Sequence, residues 1–217
     1  PSCRAYGTNR CTKGVYFLYK NPESLALASP FSRSYWRTAL RELQNLRMLT
    51  LAAIVVALRI VLSGLYIPLG DNLNIFFGYF VNSLGAAIYG PVVALLSGFA
   101  TDVLGYFVHP TGPFFPGYVL STMLGSFFYA LFFYRARVTA LRVVLAKLSV
   151  NLLVNVGLGA LWSAIQFSKG YYYYLVKSLA KNIGLLPVEA LLLWLFLRAM
   201  APICAKNGLL PKQEKKN

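Results

Sequence analysis

The sequence predicts an all-α integral membrane protein: six transmembrane helices with both termini cytoplasmic, preceded by an amphipathic interfacial helix. Three observations predict it. Only 12% of the 217 residues are charged and 58% are hydrophobic, about half the charge density of a soluble domain. The apolar residues form long runs suited to a bilayer, and mean hydropathy is +0.58. Finally, 21 Lys and Arg stand against 6 Asp and Glu, and most of the basic residues lie between or beyond the apolar runs. That is how topology signals are distributed, so nucleic-acid binding is not inferred from the net charge.

Residues 1–30 have no apolar core of the kind a secretory signal needs and no helical periodicity. They are expected to be a disordered arm or a non-native extension. Residues 31–48 carry Arg33, Arg37, Arg41 and Arg47 among apolar residues at near-helical spacing, which predicts a basic amphipathic helix on the membrane surface. The six-helix membrane domain is placed at 49–203. Its first span runs about 49–68, ends near Pro68 and is followed by a turn at Gly70-Asp71-Asn72. The second, about 74–89, ends at the breaker pair Gly90-Pro91. The third runs about 92–108. The segment 109–117, with three prolines and two glycines, is a constrained loop.

The fourth span is about 117–134 and the fifth about 143–167, joined by a connection bearing Arg135, Arg137, Arg142 and Lys147. Tyr171 to Tyr174 mark a membrane surface ahead of the sixth span, about 178–201. Residues 204–217 form a basic cytoplasmic tail. The loops opposite the basic segments hold only Lys169 and Lys177, so the positive-inside rule places those loops outside.

Charges within spans are costly and usually functional. Arg59, Asp102, Lys181 and Glu189 are such charges, and two readings stand. Arg59 with Asp102 and Lys181 with Glu189 can be structural ion pairs. Alternatively, Arg59 and Lys181, both in the outer halves of their spans, meet an anionic ligand. In the fifth span Lys147, Asn151, Asn155, Trp162 and Gln166 recur at steps of four, four, seven and four, one helical face. Such a face turns toward protein or water, for interhelical hydrogen bonds or for a ligand. Lys147, at the cytoplasmic end, reads as a topology charge. Ala53 and Ala57 form a small-xxx-small pair where another helix can approach closely. Arg59 lies about 200° around the helix from Ala57 at ~3.6 residues per turn. The outer loops are rich in aromatic residues (Tyr66, His109, Phe114, Phe115, Tyr118), as in pockets for flat ligands or in an interfacial belt.

No Walker loop, GxSxG or HExxH occurs. Cys3, Cys11 and Cys204 have no metal-ligand spacing, and the single His109 cannot complete a site with them. No cofactor or metal is expected, and no enzymatic activity.

An ordered set of segments carries a resemblance. They are SRSYWRTALRELQNLRMLTLAAIVVALRI at 32–60, GYFVNSLGAAIYGPVVALLSG at 78–98, HPTGPFFPGYVLSTMLG at 109–125, LRVVLAKLSVNLLVN at 141–155 and AKNIGLLPVEALLL at 180–193, the last containing Lys181, Asn182 and Pro187. Together they resemble the S components of energy-coupling factor (ECF) vitamin transporters, specifically the folate-specific branch. The resemblance implies a six-helix cell-membrane subunit that takes folate from outside and reorients in the bilayer. It also implies association with a transmembrane coupling subunit and two cytoplasmic ATPases, which hydrolyse the ATP. It assigns Ala53 and Ala57 to docking of the coupling subunit.

Folate, an anion with a flat heteroaromatic head, needs a stacking surface, amide-type partners and a cation. Phe115, Tyr118 and Trp162 are candidates for the first, Asn82, Asp102, Asn151 and Asn155 for the second, and Arg59 and Lys181 for the third, with Lys169 or Lys177 near the rim. His109 is a further candidate contact. The alternatives are an S component for another vitamin, a membrane enzyme built on Asp102 and His109, and a structural scaffold without a pocket.

Overall fold

The structure is a computed structural model, described over residues 29–70, 73–109, 114–167 and 170–211; the arm at 1–28 and the end of the tail lie outside these residues. Helix α1 spans Arg33–Arg41 and runs into a 3-10 turn, Glu42–Gln44. Asn45 then takes an extended conformation, and its side chain accepts a hydrogen bond from the Arg47 amide at 3.2 Å. An N-cap of this kind starts a new helix, so α2, Leu46–Ser63, begins inside the segment expected to be one surface helix.

The expected first span also ends early. After α2 the chain forms an antiparallel hairpin of β1, Tyr66–Gly70, and β2, Leu73–Phe76, with Tyr66 opposite Phe76 and an irregularity between Pro68 and Gly70. Pro68 is tolerated because a two-stranded ribbon has only edge strands. The all-α expectation is corrected to this extent.

Helix α3, Gly78–Val108, is broken at Gly90, where φ is 82° and ψ 178°. Side chains avoid that region of backbone space, and Pro91 then supplies no N–H to continue the ladder. The break reverses the chain. The Tyr89 hydroxyl lies 3.1 Å from Ser97 Oγ, although eight residues of straight helix would span ~12 Å. The same hydroxyl would be 2.7 Å from a Cβ on Gly85. Segments 78–89 and 91–108 are therefore antiparallel arms. Their junction is deeply buried, with Ala86, Tyr89, Val93 and Ala94 essentially inaccessible.

Helix α4, Pro116–Phe133, starts with proline in its first turn, where a missing N–H costs nothing. It lies so close to the second arm of α3 that a Cβ on Gly98 would sit 2.8 Å from Met123 Cα. Helix α5, Ala140–Ser149, passes into a π-helical stretch, Val150–Leu158, and then into α6, Gly159–Gln166. Helix α7, Tyr171–Lys206, takes in the four tyrosines expected to lie in a loop and runs through the expected start of the tail. It ends with Gly208 at φ 65° and a bond from the Leu209 amide to the Cys204 carbonyl, a Schellman-type stop.

Among the described residues, five helical segments (α2, α3, α4, the α5–α6 run and α7) are long and apolar enough to cross a membrane. Large apolar side chains such as Ile54, Val61, Phe107, Leu153, Ile165 and Leu191 point outward. That distribution is expected where the solvent is lipid and interior contacts favour small residues.

Candidate functional site

Polar side chains inside the bundle form three groups, each joining different helices. The first links α4 to α6. Trp162 Nε1 donates to Ser121 Oγ at 2.9 Å. Its ring meets Phe115 edge to face at 5.5 Å, and Phe115 meets Tyr118 at 5.7 Å. Gly117 makes this packing possible: a Cβ there would collide with Phe115 and lie 2.7 Å from the Trp162 ring. Tyr118 Oη donates to Gln166 Oε1 at 3.4 Å, while Gln166 Nε2 is buried with no partner among the described residues. Nearby, Thr122 donates to Asp102 Oδ1 at 2.9 Å.

The second group centres on Arg59 of α2. Its guanidinium donates to Thr101 Oγ1 at 3.3 Å and Ser126 Oγ at 3.4 Å, and Ser126 donates to Asn82 Oδ1 at 3.0 Å. Both arms of α3 and α4 thus meet one cation through neutral oxygens. Arg59 and Asp102 do not form a direct ion pair; Asp102 accepts from Thr122, while its charge still acts on the Arg59 guanidinium.

The third group runs from α5 to α7. Lys147 Nζ lies 3.2 Å from Glu189 Oε2, with side-chain exposures of 4% and 11%, and 3.8 Å above the Tyr79 ring. Asn151 donates to the same Glu189 oxygen at 3.4 Å. Asn155 donates to Asn151 at 3.0 Å and to Asn182 at 3.4 Å. Ser178 closes the group by donating to the Asn155 carbonyl at 3.1 Å. Lys147 is therefore a buried ion-pair partner rather than a surface topology charge, and it takes the carboxylate considered for Lys181. A charge needs such a partner in lipid surroundings. The π-helical stretch supports this group: its wider turn re-aims Asn151 and Asn155 relative to α5, and π segments commonly mark functional positions.

Of the other candidates, Lys181 is half-buried on α7 beside Asn182, and His109 is exposed at the end of α3. Ala53 and Ala57 are exposed on α2, while Met48, Ala52 and Val56 face the bundle. Ser121, Thr122, Thr101 and Ser126 went unnoticed in the sequence. Each also lies within hydrogen-bond distance of a carbonyl one turn earlier in its own helix, which for Thr122 and Ser126 shares the one hydroxyl proton with the partner on the neighbouring helix. Hydroxyls in apolar helices commonly do so without further role, so residue type alone did not single them out.

Among the described residues these groups show no nucleophile paired with a base. A family model described as the ECF-type riboflavin transporter S component matches residues 44–192. The chain belongs to this family. It is a multi-pass cell-membrane transporter subunit, not an enzyme, and the reading built on Asp102 and His109 is set aside. The Folate transporter FolT of Clostridium novyi (strain NT) is 28% identical over 152 residues, covering 70% of this chain and 88% of that protein. The Folate transporter FolT of Leuconostoc mesenteroides subsp. mesenteroides is 29% identical over 150 residues, covering 66% and 80%. Among solved structures, a crystal structure of FolT bound with folic acid superposes with TM-score 0.59 at 28% identity, covering 67% of this chain and 88% of that one.

Proposed function

We propose that this S component captures folate from outside the cell and delivers it inward with a transmembrane coupling subunit and two cytoplasmic ATPases. In this reading the chain carries no cofactor of its own, and ATP is hydrolysed by the partners. The observation that carries the ligand assignment is the match to two folate transporters over most of their lengths. The site chemistry agrees with it. Phe115 and Trp162 form an aromatic wall for a pterin ring, and the buried amide of Gln166 and the carboxylate of Asp102 offer a donor and an acceptor to its edge. Lys181 and Arg59 supply positive charge for the glutamate carboxylates.

The family description names riboflavin, which is the second reading. Riboflavin is also flat but uncharged, and Arg59, whose hydrogen bonds among the described residues go to the Thr101 and Ser126 hydroxyls, is better matched to an anion. Asn82 positions Ser126 beneath that cation, and Asn151, Asn155 and Lys147–Glu189 form a polar floor. Tyr118 and His109 stand at the outer rim.

We further read six membrane crossings with both termini cytoplasmic. The two arms of α3 count separately, and the basic segments around Arg33–Arg47, Arg135–Arg142 and Lys206 then share one side. Exposed Ala53 and Ala57 on α2 are read as the docking face for the coupling subunit.

Titration calorimetry of the purified chain in detergent tests the ligand assignment. Tight binding of folic acid with no heat from riboflavin supports it; the reverse result keeps the family and replaces the ligand.

A further inference from the structure

We infer that α1 is a docking surface for anionic phospholipid headgroups. Three features of this nine-residue helix lead there. Its inner face is fixed to the bundle: Tyr35, Thr38 and Ala39 are buried, Tyr35 Oη donates to the Ala130 carbonyl at 3.2 Å, and the Tyr35 ring meets Tyr134 edge to face at 5.2 Å. Burial, opposed by the nearby Arg135 charge, pushes the Tyr35 phenol above its ordinary range, so it remains a protonated donor. α1 is thus held across the bundle end and is not free to turn.

Its outer surface is divided. At ~100° per residue, Trp36 and Leu40 lie about 100° and 140° around from Tyr35, and Arg33, Arg37 and Arg41 about 160° to 240° around. Trp36 donates its indole N–H to the Pro30 carbonyl at 2.9 Å and tilts against Phe127 of α4 at 6.2 Å. That fixes an exposed Trp beside the apolar flank of a membrane-crossing helix, at the depth interfacial Trp favours. Leu40 is exposed on the same margin. An apolar stripe toward lipid and a basic stripe beside it are the two parts of an interfacial helix.

The charge then identifies the partner. The three arginines repeat every four residues with no acidic residue in α1, a spacing at which like charges repel. Arg198, exposed on α7, is not part of this helix. A layer of phosphodiester headgroups with net negative charge complements this surface, and guanidinium groups bind phosphate in two-pronged fashion.

The test reconstitutes the full chain in vesicles of phosphatidylcholine with a minority of phosphatidylglycerol and measures association of spin-labelled forms of each lipid. The expected result is a preference for phosphatidylglycerol of about three- to tenfold that falls close to one in R33Q/R37Q and persists in R198Q. Folic acid heats for the same variants in detergent report on folding and on the ligand assignment separately. Absence of any preference in the wild type overturns the inference. So does a preference that survives R33Q/R37Q, or one that R198Q reduces equally, since a diffuse charge effect then suffices. Loss of uptake in R33Q/R37Q with lipid preference intact makes the face a protein contact and also overturns it.

Discussion

At the scale of single residues, Lys147 and Glu189 are the pair most exposed to error by substitution. Neither charge has water to turn to, and the pair is held by Asn151 and lies beside the Tyr79 ring. Removing one partner of a buried pair costs ~3–5 kcal/mol, whereas replacing both with apolar groups is often neutral. Glu189→Gln is therefore expected to lower the thermal midpoint in detergent sharply, and Lys147→Met with Glu189→Leu to restore most of it. A double variant as unstable as the single one would show that the ion pair itself, and not the relief of a lone charge, holds α5 to α7. Ser121→Ala poses a different question. It removes the acceptor of the Trp162 indole N–H, a bond worth about 1 kcal/mol. Stability should fall by about that amount, and folic acid affinity by about fivefold because the Trp162 ring is no longer held in place; an unchanged affinity would place Trp162 away from the ligand. The polar stripe that contains Lys147 was visible in the sequence, because a four-residue step survives as a shared face. The partners were not: which carboxylate a lysine meets depends on how α7 lies against α5, and spacing within one helix carries no information about that.

At the scale of elements, two glycines allow contacts that no side chain would. Gly98 lets the second arm of α3 approach the backbone of α4, and a Cβ there meets Met123 Cα and the Thr122 carbonyl, neither of which is a flexible side-chain end. Gly98→Ala should cost about 1–3 kcal/mol through overpacking and weaken folic acid binding, since Thr122 also holds Asp102. Thermal unfolding with calorimetry on the same sample checks both; wild-type stability would mean that the arms slide apart freely. Gly90 is strained for any other residue whatever space it has, because of its positive φ and the Tyr134 ring 3.0 Å from where a Cβ would stand. Gly90-Pro91 was legible as a break, since both residues interrupt a helix by local chemistry. The reversal at that break follows from packing between the arms. The hairpin was not legible: Tyr66–Gly70 and Leu73–Phe76 are short apolar segments, and short apolar segments do not distinguish strand from helix. The π-helical stretch was hidden too, for Val150–Leu158 has the apolar composition of an ordinary membrane helix.

At the scale of the whole molecule, α2 has two sides with separate tasks. Only 17% of its membrane window is buried, the least of the five candidate membrane helices among the described residues, yet it sends Arg59 inward to Thr101 and Ser126. Its other side shows Ala53, Ile54, Ala57, Leu58 and Val61, where two small residues one turn apart leave a shallow place for a second helix. If this is the coupling face, bulk at its centre should separate capture from delivery. Ala57→Trp is expected to bind folic acid as the wild type does in detergent, because the substitution points away from Arg59. In cells supplied with the coupling subunit and ATPases, it should lose folate uptake and fail to co-purify with them. Uptake retained in this variant would remove the docking role from α2. Binding lost along with uptake would show instead that the two sides of the helix are mechanically linked through Arg59.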